Sequence, residues 1–287
     1  MLSSMAQFYR SKDYYHHNRH HLILGTGTSN YLGELGGGNK VANPAFLDVD
    51  FLGTRNAFQL AYQFNQSKNS GFRATVYYGR IMGSDEFTEQ TERRYRNLSF
   101  TSNIFEFSAL YEFFLLRANS KPSYLSSSWA TVNKHWDLFM FTGIAGFRHN
   151  PKRNGTELQP LGTEGQGLPN GPEPYSLWQM SVPMGIGASL ALNTSFSIEA
   201  SVNYRITFTD YLNDASTYYY DRNELAQARG EDAVVYADPS SGENPGWTAQ
   251  GAIRGNPETN DTYYSFMLSI NYNLVSIYGR STFKPRF

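Results

Sequence analysis

Between Ser195 and Tyr211 the chain reads SFSIEASVNYRITFTDY, and this stretch restricts the fold more than any other. Phe196, Ile198, Ala200, Val202, Tyr204, Ile206 and Phe208 occupy its even positions. Ser195, Ser197, Glu199, Ser201, Asn203, Arg205, Thr207 and Thr209 occupy its odd ones. A two-residue period puts one chemistry on each face of an extended strand, whereas helical spacing would scatter the same residues around a cylinder. Strands of sandwiches run roughly 5–6 residues. A tilted membrane-spanning strand needs about 9–11, and barrel strands project beyond the bilayer.

Seven further segments have strand character: His20–Ser29, Arg55–Gln66, Gly71–Met82, Ser99–Leu116, Trp136–His149, Leu177–Leu192 and Thr262–Leu274. Most alternate clearly. Phe58, Leu60, Tyr62 and Phe64 oppose Gln59, Ala61 and Gln63, and Phe105, Phe107, Ala109, Tyr111 and Phe113 oppose Glu106, Ser108 and Glu112. The fifth segment is apolar on both faces (LFMFTGIAGF), so pattern alone leaves its parity open. Pro183 cannot donate to a ladder and predicts a bulge in the sixth.

The joins alternate in length. The long joins at 30–54, 83–98, 150–176 and 212–261 alternate with mostly shorter ones at 66–70, 117–135 and 193–194. An even strand count with the long joins on one side is the topology of outer-membrane barrels, with short periplasmic turns and long outer loops. The expected fold is therefore all-β: an eight-stranded antiparallel up-and-down transmembrane β-barrel over 20–275. A lead-in covers 1–19 and a periplasmic tail 276–287. The opening Met1–Gln7 reads like the end of a signal peptide.

Composition agrees with this reading. Aromatic residues make up 16% of the 287 residues although mean hydropathy is −0.50, as alternating strands and interfacial girdles require. No apolar run approaches the roughly 18 residues of a membrane helix. A net charge of −1 argues against nucleic acid as a partner, and the lack of cysteine removes thiolate chemistry. Outer-membrane lipids are the expected surroundings.

An eight-strand barrel is just filled by side chains, so charges on the polar parity must pair inside it. Arg73 is expected to meet Glu112 on the neighbouring strand, and Arg205 to meet Glu106 or Glu199 higher up. These five residues are read as packing and register elements, with no catalytic, cofactor-binding or metal role.

Other motifs carry little. The HHNRHH run holding His16, His17, His20 and His21 leads into a strand and lacks a carboxylate set. The stretch from Gly25 to Asn30 lacks the third glycine and helix of a dinucleotide loop, and reads as small residues facing a crowded interior. Asp48, Asp50, Asp210, Asp214 and Asp221 fit no calcium-loop spacing. Arg222–Arg229 (RNELAQAR) predicts a short helix capping the barrel mouth. The 117–135 join presents Arg117, Lys121, Tyr124, Trp129 and Lys134, an interface-like mixture of cations and aromatics. A plain turn fits it equally well.

Several stretches together resemble the PorG family of small outer-membrane barrels in the type IX secretion system. They are Asn30-Tyr-Leu-Gly-Glu-Leu-Gly-Gly37, Arg96-Asn-Leu-Ser-Phe-Thr-Ser-Asn-Ile104 with Glu106, and Tyr111-Glu-Phe113. Further matches are Arg205-Ile-Thr-Phe-Thr-Asp-Tyr-Leu-Asn-Asp214, Ser216-Thr-Tyr-Tyr219, and Arg254-Gly-Asn-Pro257 with Asn260 and Asp261. The resemblance implies a non-enzymatic scaffold, without cofactor, that ties a periplasmic ring of PorK and PorN type to the outer membrane and works beside other translocon components. The family supplies no catalytic residue. Ring contact would fall on a periplasmic turn, with 117–135 the foremost candidate. A lipid-modifying barrel enzyme, for which His149 is the main histidine in the outer loops, and a small-solute barrel are the alternatives.

Overall fold

A computed structural model describes residues 19–35, 53–88, 90–117, 136–192 and 195–274. The strands are β1 (His20–Leu32), β2 (Arg55–Asn65), β3 (Ser70–Ser84), β4 (Ser99–Arg117), β5 (Trp136–Arg148), β6 (Pro151–Arg153), β7 (Thr156–Glu157), β8 (Trp178–Ala191), β9 (Phe196–Thr207) and β10 (Thr262–Asn273). Eight of them form a closed antiparallel sheet in the order β3-β2-β1-β10-β9-β8-β5-β4, with β4 returning to β3. The small β6–β7 hairpin extends β4 at its outer end through the Thr101–Lys152 pairing. Closure leaves the eight-stranded wall itself without a free edge, so neighbouring strands satisfy one another's backbone groups around the barrel.

Alternation decides which way each side chain faces. Leu22, Leu24, Phe58, Leu60, Phe107, Ile144, Met180, Ile186, Ile198, Leu268 and Ile270 all stand on the outside, Leu24 67% and Ile144 63% exposed. Glu106, Glu112, Glu199, Arg73 and Arg205 are buried within. Outward aromatics gather at both ends of this apolar belt: Tyr78, Phe105 and Trp178 toward the long loops, and Tyr62, Phe72, Tyr111, Phe196 and Tyr272 toward the short turns. A soluble barrel would have its chemistry the other way round.

The structure settles the parity that pattern left open in the fifth segment and corrects two expectations, the end of β9 and the bulge at Pro183. In β5, Phe139, Phe141 and Phe147 face inward while Met140 and Ile144 face out, a parity its uniform hydrophobicity concealed. The lumen is consequently not uniformly hydrophilic. One apolar layer (Leu110, Phe114, Phe139, Phe141) lies at the short-turn end, and a larger one, including Tyr31, Ile81, Phe100, Ile104, Phe147 and Met267, lies at the outer end.

β9 ends at Thr207, not Tyr211. Its partner β10 begins at Thr262, so the ladder has no strand beyond that point, and the Thr207 hydroxyl bonds the Asp261 carbonyl at 2.6 Å. Pro183 sits in unbroken register with Arg205 of β9, and the register shift falls in β4 between Phe114 and Leu116 instead.

The Gly25–Asn30 stretch is tight where β1 faces inward. A Cβ on Gly27 would lie 1.9 Å from the Phe266 carbonyl oxygen, so any larger residue must displace backbone. Residues 1–18 of the expected 1–19 lead-in, with His16 and His17, lie outside the described residues, as do the 276–287 tail, Asp48 and Asp50.

Candidate functional site: the sealed lumen and the outer cap

At the short-turn end of the lumen, Arg73 of β3 joins two carboxylates from opposite walls. Its Nε lies 2.5 Å from Glu112 of β4, and its terminal nitrogens donate to both oxygens of Glu199 of β9 at 2.7 and 3.0 Å. Gln63 donates to Glu112 (2.6 Å) and Asn271 to Glu199 (2.9 Å), filling further lone pairs. The guanidinium also lies 5.4 Å from the ring centre of Phe139. A fork-shaped donor suits two carboxylates at once, which an ammonium cannot match.

Nearer the outer end a second layer forms. Arg205 of β9 donates to Glu106 of β4 at 3.1 Å and to the Ser265 hydroxyl at 2.6 Å, and Tyr263 donates to the same carboxylate at 2.5 Å. The Arg205 guanidinium is held between Tyr77 and Tyr263, 4.4 and 5.1 Å from their ring centres. Glu106 thus serves Arg205 while Glu199 belongs to the lower cluster.

Above the strands, three long connections build a cap. The 85–98 connection carries helix α1 (Thr91–Arg96). The 149–177 connection carries β6 and β7, and the 208–261 connection carries α2 (Arg222–Arg229) and α3 (Glu231–Ala237). Asp221 caps α2 by accepting from the Asn223 and Glu224 amides, each at 2.9 Å, and Leu225 anchors its apolar side.

Arg254, 1% exposed, is the hub of this cap. It donates to Glu164 at 3.0 Å, to the Ala237 carbonyl at 3.2 Å and to the Asp214 carbonyl at 2.5 Å, while its own carbonyl accepts from Arg96 at 2.5 Å. Arg96 in turn grips Asp85 through two bonds of 2.8 and 2.9 Å. Glu164 also accepts from the Ser216 amide and the Thr217 hydroxyl, and Asp214 from Thr163 and Tyr175. Arg254 thereby joins all three described loops, two through its guanidinium and the third through its carbonyl. Glu164, Asp85 and Tyr175 escaped the sequence analysis because loop residues carry no periodic signal.

Asp210 and Asp261 lie close together below this hub, near Glu34. Asp261 accepts from the Tyr31 hydroxyl and from the Leu212 amide at 3.0 Å. Burial pushes the Asp210 carboxyl up to about 9, and the negative field of Asp261 adds to the shift. Asp261 is likewise raised well above the usual carboxylate range by burial.

A carboxyl whose folded-state affinity for a proton is raised stabilises the fold fully below its ordinary pKa, near 4. That contribution disappears as pH rises toward about 9. The cap should therefore resist protease better at pH 5 than at pH 8. Asp210→Asn should remove part of that difference, and an unchanged pH dependence in the variant would count against the assignment.

His149 is buried, stacks on Tyr175 and lies 3.3 Å from the Ser176 carbonyl, and burial lowers its pKa to about 4, which keeps the ring neutral. His20 meets the Tyr62 hydroxyl, and His21 meets Asn65. Among the described residues, no three His, Asp or Glu side chains are grouped so as to hold a metal. Arg117 contacts Asp137 at 3.4 Å, donates to the Lys68 carbonyl and stacks on Phe114. Lys121, Tyr124, Trp129 and Lys134 lie outside the described residues.

A closed sheet, apolar outside and ion-paired inside, defines a membrane-spanning β-barrel whose centre is filled. The family model described as a domain of unknown function, DUF6089, matches residues 8–153, just over half of the chain, and the chain belongs to that family. No curated protein matches it. Solved structures similar to it include Ail, the attachment invasion locus protein of Yersinia pestis, at 12% identity and TM-score 0.38, covering 89% of this chain and 97% of that one. Neisserial surface protein A gives 9% identity, TM-score 0.37 and coverage of 88% and 96%. The N-terminal β-barrel domain of Pseudomonas aeruginosa OprF gives 8%, 0.34, and 89% and 98%. With values this low, the fold rests on the strand pairing of this chain rather than on these neighbours.

Proposed function

We propose that this barrel is a non-enzymatic outer-membrane scaffold of a protein-secretion system, anchoring a periplasmic ring of PorK and PorN type. The observation that carries the reading is the doubly sealed lumen. Arg73 with Glu112 and Glu199, and Arg205 with Glu106, close the interior at two heights, so the barrel offers its ends and outer wall to partners rather than a conduit. The distributed sequence resemblance to the PorG family supports the secretion role.

At the periplasmic end the candidate contact is the 117–135 turn. Arg117 itself braces the base of that turn through Asp137, which leaves Lys121, Tyr124, Trp129 and Lys134 as the contact set to test.

Co-purification from detergent-solubilised outer membrane tests the proposal. The intact chain should bring down the ring proteins, and Tyr124→Ala with Trp129→Ala should reduce their recovery about tenfold, the loss of a modest aromatic anchor pair. Undiminished recovery removes this turn as the contact. Absence of ring proteins from the intact chain's eluate removes the scaffold reading.

A further inference from the structure

Charges that face outward from a membrane barrel are costly unless they sit at headgroup level and meet an opposite charge there. Arg80 of β3 and Arg148 of β5 are both exposed on the outer wall at its loop-bearing end, flanking β4. Arg80 is paired in register with Asn103, whose Oδ1 accepts from its Nε at 3.0 Å. Arg148 is paired with Phe105 on one side and Trp178 on the other, and makes no ion pair among the described residues.

The two positions are two strands apart, about 10 Å across the sheet, and offset by about 7 Å along it. Lys152 of β6 stands one step farther out, opposite Thr101, bound to Glu157 at 2.8 Å. No Lys or Arg faces outward at this height on β8, β9, β10 or β1, and Arg55 of β2 shares the inward parity of Ala57. The cations are thus confined to one arc.

Immediately membrane-ward of that arc, the same strands carry a notch. The Tyr78–Phe105 pair of the aromatic girdle comes first, and then small residues interrupt the large ones. Ala74 and Ala109 face each other across β3 and β4, and Gly146 lies opposite Phe107. With Val76, Phe107 and Ile144 as walls, and with Leu60 of β2 and Met180 of β8 at its margins, they bound an apolar trough of about 610 Å³. A trough alone would take any hydrocarbon. A trough leading up to two guanidinium groups selects a lipid with phosphate at its head.

We infer that the β3–β4–β5 wall binds a phosphorylated, acylated glycolipid of the outer leaflet, its phosphates on Arg80 and Arg148 and an acyl chain in the Ala74–Ala109–Gly146 trough. Guanidinium forks pair with phosphate oxygens through two parallel, charge-assisted bonds, and low-dielectric surroundings strengthen them. This inference rests on the reading that the barrel spans an outer membrane, and the experiment separates the two.

The full chain, purified in detergent, is titrated by native mass spectrometry with bisphosphorylated lipid A and with the same lipid after enzymatic dephosphorylation. The Arg80→Gln/Arg148→Gln double variant is compared with Arg94→Gln, whose arginine is exposed on α1 of the cap, beyond the ends of the strands. The double variant should bind the phosphorylated lipid about tenfold or more weakly, with no change for the dephosphorylated lipid, and Arg94→Gln should behave like the parent.

Heat-shifted gel migration confirms that each variant is folded. Equal binding of both lipids by the parent, or undiminished binding by the double variant, overturns the inference. So does full competition by millimolar inorganic phosphate, which would assign the arginines to free phosphate. Flotation with liposomes reports separately on the membrane reading, since a chain that stays in the aqueous fraction fails it whatever lipid A does.

Discussion

Arg73→Met should lower the stability of the barrel by about 3–5 kcal/mol, the cost of stranding buried charge without its partner. The substitution leaves Glu112 and Glu199 facing each other in a space sealed on one side by Phe139 and Phe141. Gln63 and Asn271 still donate one bond each, which offsets only part of the loss. Thermal unfolding followed by heat-modified gel migration reads the effect.

The triple variant Arg73→Met, Glu112→Gln, Glu199→Gln removes all three charges and should recover most of the lost stability, because neutral amides of the same shape need no counter-ion. A triple variant no more stable than the single one would show that Arg73 acts through its packing on Phe139 rather than through charge.

Arg254→Met should act on the cap and spare the barrel. It takes the counter-ion from Glu164 and Asp214, leaving Glu164 only its neutral donors on Ser216 and Thr217, and it withdraws the donor that fixes the Ala237 and Asp214 carbonyls. The local cost is again about 3–5 kcal/mol, which raises the opening equilibrium of the cap by roughly 100-fold or more. Hydrogen exchange should quicken across 159–177 and 208–261 and stay slow in β1 to β5 and β8 to β10. Equal acceleration in the strands would mean that cap and barrel open as one unit.

The barrel was readable in the sequence because a membrane imposes its period on every strand it touches. Leu22 with Leu24 and the Phe196–Phe208 series declared their outward face through plain alternation. β5 did not, since its phenylalanines line an apolar layer of the interior while Met140 and Ile144 face out, and both faces look alike on paper. Charges on the polar parity announced themselves as lumen residues by their position.

Arg80 and Arg148 also left a signal, because each shares the outward parity of its strand with residues such as Tyr78 and Ile144. A cation on a greasy face is an anomaly that pattern reading can flag. The cap left none. Arg254 meets Glu164 across 90 positions of irregular chain, and no local rule links the two.

Arg73 and Glu199 stand 126 positions apart on opposite walls. A half-assembled sheet brings β3 beside β4 but leaves β9 outstanding, with Glu199 still unmatched. Completing the cylinder and neutralising its interior are therefore a single event, so the chain carries its own check on assembly. A barrel that closes in the wrong register is left with stranded charge, and that penalty steers insertion toward the one correct seam.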